Sequence, residues 1–222
     1  MRVLWCNIKG IVYTQEQKSI VENITSIKSQ NYLRERDMIR HISGLLLAEL
    51  GWYSMHGECV KIIYDEDRKP QYKFLDGYDD YHFNISHSCD IVVCAISMES
   101  VGVDIEKKSI FPQEIIDYIY NDNEIKCCQN DNGCAYKLWT RKESYLKAIG
   151  KGICGIRSMK SLIHEGKVSD NYEGYKFVEL AINEEYEAVA CTKADIDVAN
   201  LIEVDGECLI QFMRILEQKK GW

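Results

Sequence analysis

The chain of 222 residues predicts an α+β fold built as two similar halves, residues 1–100 and 101–222. Two observations carry this. Long segments with apolar residues at helical spacing are followed by clusters of short alternating segments, and the order helix-then-strands recurs in each half. The helix tails L-L-L-A-E-L-G and Y-L-K-A-I-G repeat one theme, ending at Gly51 and Gly150. With two prolines and no linker-like run, the halves should pack tightly together.

Residues 1–13 read as a strand, continued by Ile8, Ile11 and Val12. The stretch Ile20 to Ile27 fits either helix or strand. From Gln30 to Leu50, the residues Leu33, Met38, Ile42, Leu45, Leu46 and Leu50 recur at helical spacing, and Gly51 is the expected stop. Val60–Tyr64 reads as a short strand before the charged turn D-E-D-R-K-P. Tyr81–Ser86, Ile91–Ser97 and Val101–Ile105 are separated by short polar turns, which predicts an antiparallel meander. In the second half, a helix-prone region from Pro112 to Gln129 precedes the loop N-D-N-G. Next comes a helix whose apolar face is Ala135, Leu138, Trp139, Tyr145, Leu146 and Ile149, with Gly150 as its cap. Strands at about Lys176–Ile182, Glu187–Cys191 and Asp195–Leu201 and a helix near Ile210–Gln218 close the chain.

Composition narrows the classes. A 46% hydrophobic and 28% charged chain is that of an ordinary globular protein with a sizeable core. The net charge of −8 argues against a broad nucleic-acid or anionic-membrane surface. No run approaches the roughly 18 apolar residues that would span a bilayer. The N-terminal M-R-V-L-W-C is too short and too soon polar for a signal peptide, so a cytoplasmic location is expected. Ten cysteines contain no C-x-x-C spacing, which favours free, buried thiols over a zinc centre or a thiol-redox protein.

Three stretches can carry chemistry. In V-G-V-D-I-E, strand alternation puts Asp104 and Glu106 on one face. Two carboxylates so close call for a hard divalent cation such as Mg²⁺ or a basic group; the alternative is a strand end whose acids meet only water. In F-N-I-S-H-S, hydroxyls and an imidazole can donate to an anionic oxygen. Ser86 and His87 point to opposite faces, which disfavours a nucleophile–base pair, and there is no G-x-S-x-G elbow. Glu143 and Lys147 share a polar helix face four residues apart, which on its own is a solvated pair. The remaining histidines, at positions 41, 56, 82 and 164, are scattered and read as packing or surface residues.

Taken in order, F-N-I-S-H-S, V-G-V-D-I-E and W-T-R-K-E-S-Y-L-K-A-I-G-K-G resemble the 4′-phosphopantetheinyl transferases of the long, surfactin-synthetase-activating (Sfp) type. The resemblance implies a monomer of two α+β halves related by a pseudo-two-fold axis, with coenzyme A in the cleft between them. It implies that Asp104, Glu106 and Glu143 hold Mg²⁺ together with the coenzyme A diphosphate, and that Lys147 contacts that diphosphate. Ser86 and His87 resemble the phosphate-binding pair, Arg40 and Lys28 the contacts of the 3′-phosphate, and Lys69 a lysine near the adenine. Thr25 stands where a second 3′-phosphate lysine is expected, and Arg68 where glycine is usual. The implied reaction moves phosphopantetheine from coenzyme A onto a serine of an apo acyl or peptidyl carrier protein and releases 3′,5′-adenosine bisphosphate. Glu143 is the first choice of base and Glu124 the second. The carrier would dock near Lys107-Lys108 or on Phe111 to Asn132. Rival readings are a Mg²⁺-dependent nucleotide phosphohydrolase using the same acids and a non-catalytic coenzyme A-binding module.

Overall fold

A computed structural model describes residues 1–25, 32–66, 69–74, 81–131, 133–194 and 200–219. The first stretch gives β1 (Arg2–Asn7), α1 (Gln15–Thr25), α2 (Glu35–His56), β2 (Lys61–Tyr64), β3 (Pro70–Lys73), β4 (His82–Ser88) and β5 (Ile91–Ser97). Then follow β6 (Val101–Lys107), α3 (Gln113–Ile119), α4 (Asp122–Asn130), α5 (Cys134–Ala148) and a 3-10 turn at Ile153–Ser158. The chain ends with β7 (Ile163–His164), β8 (Lys167–Val168), β9 (Asn171–Tyr172), β10 (Tyr175–Glu179), β11 (Tyr186–Thr192), β12 (Leu201–Glu203) and α6 (Gly206–Gln218). No helix among the described residues is long and apolar enough to cross a membrane.

The strands form a first sheet in the order β12-β1-β5-β4 and a second in the order β6-β11-β10-β9. Every residue of β5 is buried, so its side chains feed two layers. Val92, Cys94 and Ile96 join Leu45, Leu46 and Trp52 of α2 and Phe212 of α6. Ile91, Val93 and Ala95 face the other way, onto Val101, Val103 and Ile105 of β6 and Ala188 and Ala190 of β11. On the far side of the second sheet, Phe177, Val189 and Cys191 pack under Ala135, Leu138 and Ala148 of α5. The order of layers is therefore helix, sheet, sheet, helix, a mixed α/β architecture.

Several expectations need correction. β4 and β5 form the antiparallel hairpin, but the meander stops there: β6 hydrogen-bonds to β11. The other edge of β5 is already taken by β1, so β6 opens a new sheet. Gly51 does not stop α2, which runs on to a left-handed cap at Gly57 with φ 74°. Gly51 instead sets a spacing, because a Cβ there would collide with Ile96 and Leu4 of the sheet beneath. The expected division at residue 100 assigns the C-terminal elements to the second half. Yet β12 pairs in parallel with β1, and α6 packs in the same cluster as α2. Of the strand expected at Asp195–Leu201, residues 195–199 lie outside the described residues. Finally, not all cysteines are free: Cys127 and Cys134 form a disulfide between α4 and α5.

Candidate active site

The site begins with alternation on β6. Its odd residues Val101, Val103 and Ile105 fill the layer between the sheets, which turns Gly102, Asp104 and Glu106 toward α5. At Gly102 the helix lies against bare backbone: an added Cβ would stand 2.6 Å from Ala148 N and closer still to the Ser144 carbonyl. This approach brings Glu143 and Lys147 of α5 within reach of the β6 acids.

The edges of the two sheets meet at β4 and β6 without forming a backbone ladder. Side chains on one face of β4 do the joining. Asn84 Oδ1 accepts from Val103 N at 3.0 Å, Ser86 Oγ donates to Asp104 Oδ1 at 2.9 Å, and Ser88 Oγ donates to Glu106 Oε2 at 3.0 Å. Ser88 Oγ also accepts from Lys107 N at 3.0 Å. Asn84 and Ser88 were not singled out from sequence, although the period of two in N-I-S-H-S carried the signal.

Asp104 is buried rather than at a wet strand end, with 3% exposure. Lys147 Nζ donates to its Oδ1 at 2.6 Å, to Ser86 Oγ at 3.0 Å and to the Val103 carbonyl at 3.3 Å. Asp104 Oδ2 and Glu143 Oε1 are buried without a hydrogen-bond partner. Burial pushes the Glu143 carboxyl above its usual range; Lys147 pulls it back, while the charges of Asp104 and Glu106 push it further up. Burial also raises Glu106, as does Asp104, against donation from Ser88 and the Trp139 indole. Three acids from β6 and α5 thus feel one another around a single ammonium.

Residues of the first half lie beside these groups. Ser86 and His87 point to opposite faces as expected, Ser86 to the acids and His87 toward α2. The surrounding protein and then the charge of Arg40 hold the His87 imidazole below its usual pKa, with Lys147 adding to the effect. Arg40 is clamped: Nε and Nη2 donate to the Cys89 carbonyl at 3.0 and 2.9 Å, and Nη1 pairs with Asp37 at 3.0 Å. Lys69 Nζ reaches across to the Lys147 carbonyl at 3.2 Å, and burial holds its pKa below the usual lysine range. Lys28 lies outside the described residues.

Glu124 stands apart from these groups. It is fully buried, with Oε2 accepting from Lys142 Nζ at 2.8 Å and from Asn121 N at 3.2 Å, and Oε1 accepting from Leu162 N at 3.0 Å. Both oxygens are occupied, which corrects its place as a second candidate base. Lys142 is nearly as buried, and its place in K-E-S carries no local sign of that.

Among the described residues, no three His, Cys, Asp or Glu side chains are arranged to hold a metal ion as they stand. The donor set still suits Mg²⁺, which takes few carboxylates and completes its shell with water and substrate phosphate oxygens. The two unpartnered buried carboxylate oxygens, on Asp104 and Glu143, are the atoms available for it.

The family model described as the 4′-phosphopantetheinyl transferase superfamily matches residues 100–193, from the start of β6 to the end of β11. This stretch, which is similar to that superfamily, holds all three acids and Lys147. The chain is also similar to relatives of the Sfp type, in line with the three sequence blocks. The 4′-phosphopantetheinyl transferase gsp of Aneurinibacillus migulanus is 37% identical over 142 residues, covering 59% of this chain and 58% of that protein. The 4′-phosphopantetheinyl transferase Sfp of Bacillus subtilis is 38% identical over 97 residues, covering 40% and 43%. A further 4′-phosphopantetheinyl transferase of Bacillus subtilis is 30% identical over 134 residues, covering 57% and 58%. The chain thus spans a little over half the length of the first relatives it matches.

Proposed function

We propose that the protein is a 4′-phosphopantetheinyl transferase, moving the phosphopantetheine arm of coenzyme A onto a serine of an apo acyl or peptidyl carrier protein. The observation that carries this is the seam between β6 and α5. There Asp104, Glu106 and Glu143 surround Lys147, and two buried carboxylate oxygens lack partners, within the stretch that matches the superfamily.

In this reading the serine oxygen attacks the β-phosphorus of coenzyme A, the bond to the bridging oxygen breaks, and 3′,5′-adenosine bisphosphate leaves. Glu143 takes the serine proton as general base. Lys147 turns its ammonium from Asp104 toward the diphosphate and offsets its charge, a task of positioning and electrostatics. Asp104, Glu106 and Glu143 would hold Mg²⁺, which when bound supplies charge neutralisation at the phosphate oxygens. Ser86 and His87 contact phosphate, Arg40 and Lys28 the 3′-phosphate, and Lys69 the adenine end. The two sheet-and-helix halves, taken as related by a pseudo-two-fold axis, form the cleft, and the protein acts as a cytoplasmic monomer.

Incubation with coenzyme A, Mg²⁺ and a panel of apo carrier proteins tests the proposal. Mass spectrometry should find one phosphopantetheine group added at the carrier serine. No mass gain on any carrier, or release of free phosphate without an acceptor, would overturn it.

A further inference from the structure

We propose that the buried Glu124–Lys142 ion pair is a positioning couple: it fixes the rotation of α5 about its own axis, and with it the places of Glu143 and Lys147. The inference rests on the transferase reading above. One carboxylate ties three segments together. Glu124 Oε2 holds Lys142 of α5 at 2.8 Å, and Oε1 holds the backbone of Leu162 at 3.0 Å, beyond the 3-10 turn. The same residue closes the capping box at the start of α4 with Asn121. The Lys142 ammonium also lies 5.5 Å above the Tyr120 ring, whose hydroxyl donates to the Ala135 carbonyl of α5 at 2.7 Å.

With no exposure and both oxygens occupied, Glu124 cannot accept a proton from a carrier serine. Its leverage is geometric. Lys142 and Glu143 are consecutive, so they stand about 100° apart around the helix, and holding one sets the other. Arg141 ties the same helix to Asp170 and Glu179, but those side chains are 74% and 55% exposed and yield more readily. The pair with Glu124 has side-chain exposures of 1% and 0%, and is the stiffer tie. At roughly 6 Å from the axis, a rotation of about 10° moves the Glu143 carboxylate by about 1 Å. A misplacement of that size costs about a hundredfold in rate.

Lys142→Met alone leaves a buried carboxylate uncompensated and endangers the fold. The decisive variant is therefore Glu124→Gln with Lys142→Met, which carries no buried charge. Lys142→Arg, which keeps the charge on a longer arm, is the second variant. Two readouts are taken: phosphopantetheine transfer to an apo carrier, and binding of Mn²⁺ alone followed by its EPR signal. In the folded double variant, kcat should fall about a hundredfold while KM for coenzyme A stays within about threefold. Mn²⁺ affinity should fall at least about tenfold, as it does when outer groups that orient ligands are lost. Lys142→Arg should show the same split to a smaller degree. Wild-type kcat and Mn²⁺ affinity in the folded double variant, or in Lys142→Arg if the double variant does not fold, would overturn the proposal. So would loss of transfer in Glu124→Gln beside full transfer in Lys142→Met. If the unaltered protein binds Mn²⁺ but modifies no carrier, the transferase reading fails while the Mn²⁺ comparison still decides the role of the pair.

Discussion

Replacing Gly102 by alanine should damage the site without touching a single charged group. The glycine has no backbone conformation that alanine would avoid; its importance is the room it leaves. A Cβ at this position would stand 2.6 Å from Ala148 N and nearer still to the Ser144 carbonyl oxygen, whereas ordinary contact begins at 3.4 Å. Both obstructing atoms belong to helix backbone and cannot rotate away, so α5 must back off from β6 by about 1 Å or more. Overpacking of this kind costs roughly 1–3 kcal/mol, and a backbone obstruction belongs at the upper end. The same shift lengthens the 2.6 Å contact between Lys147 and Asp104 and carries Glu143 away from the β6 acids. On the proposed function, transfer should fall about a hundredfold. Urea unfolding of Gly102→Ala beside the unaltered chain gives the first number, and carrier modification at saturating coenzyme A the second. A variant within about 0.5 kcal/mol of the original stability and with unchanged transfer would refute the close-approach argument.

Asp104→Asn should abolish transfer and also cost about 2 kcal/mol in urea unfolding, because it leaves the Lys147 ammonium without its carboxylate in a partly buried setting; unchanged stability would place that pair in solvent. Burial in α2 raises Glu49 from 4.5 to about 8. A carboxyl raised on folding contributes stability below its unfolded pKa that is lost as pH climbs through its folded one, at up to about 1.4 kcal/mol per pH unit. Glu49→Gln should therefore flatten the fall in stability between pH 5 and 8, and parallel curves for the two proteins would contradict its burial as an acid. The His41 imidazole, lowered to about 4 by burial, acts in the opposite sense: the stability it contributes above about pH 6.5 is lost as pH falls toward 4. Peptide mapping without reductant should recover Cys127 and Cys134 linked, and reduction should cost roughly 2–3 kcal/mol for so short a loop.

Much of the local structure was legible in one dimension because it follows from periodicity. Helical spacing gave α5 and its end before Gly150, which adopts φ 70°. Alternation gave the shared face of Asp104 and Glu106 and the opposed faces of Ser86 and His87. The same rule would have given Asn84, Ser86 and Ser88 as one polar edge, had it been carried two residues further. Gly51 misled because a glycine at the end of an apolar run reads as a cap, while in the fold it spaces α2 from Ile96. Glu124 entered through the resemblance alone, and its burial against Lys142 was not legible because an isolated acid in a helix carries no sign of whether it is wet or buried.

By itself the sequence determined which residues could be acids, cations and core, and on which face of each strand or helix they lie, since those are properties of neighbours in the chain. Only the tertiary structure decided which faces meet: that β6 leaves the first sheet for the second, that the last strand and helix return to the first, and that Lys147 lands on Asp104 while Lys142 is spent on Glu124. The reason is that contacts between residues far apart in the chain depend on the packing of every layer between them, and no local pattern records that sum.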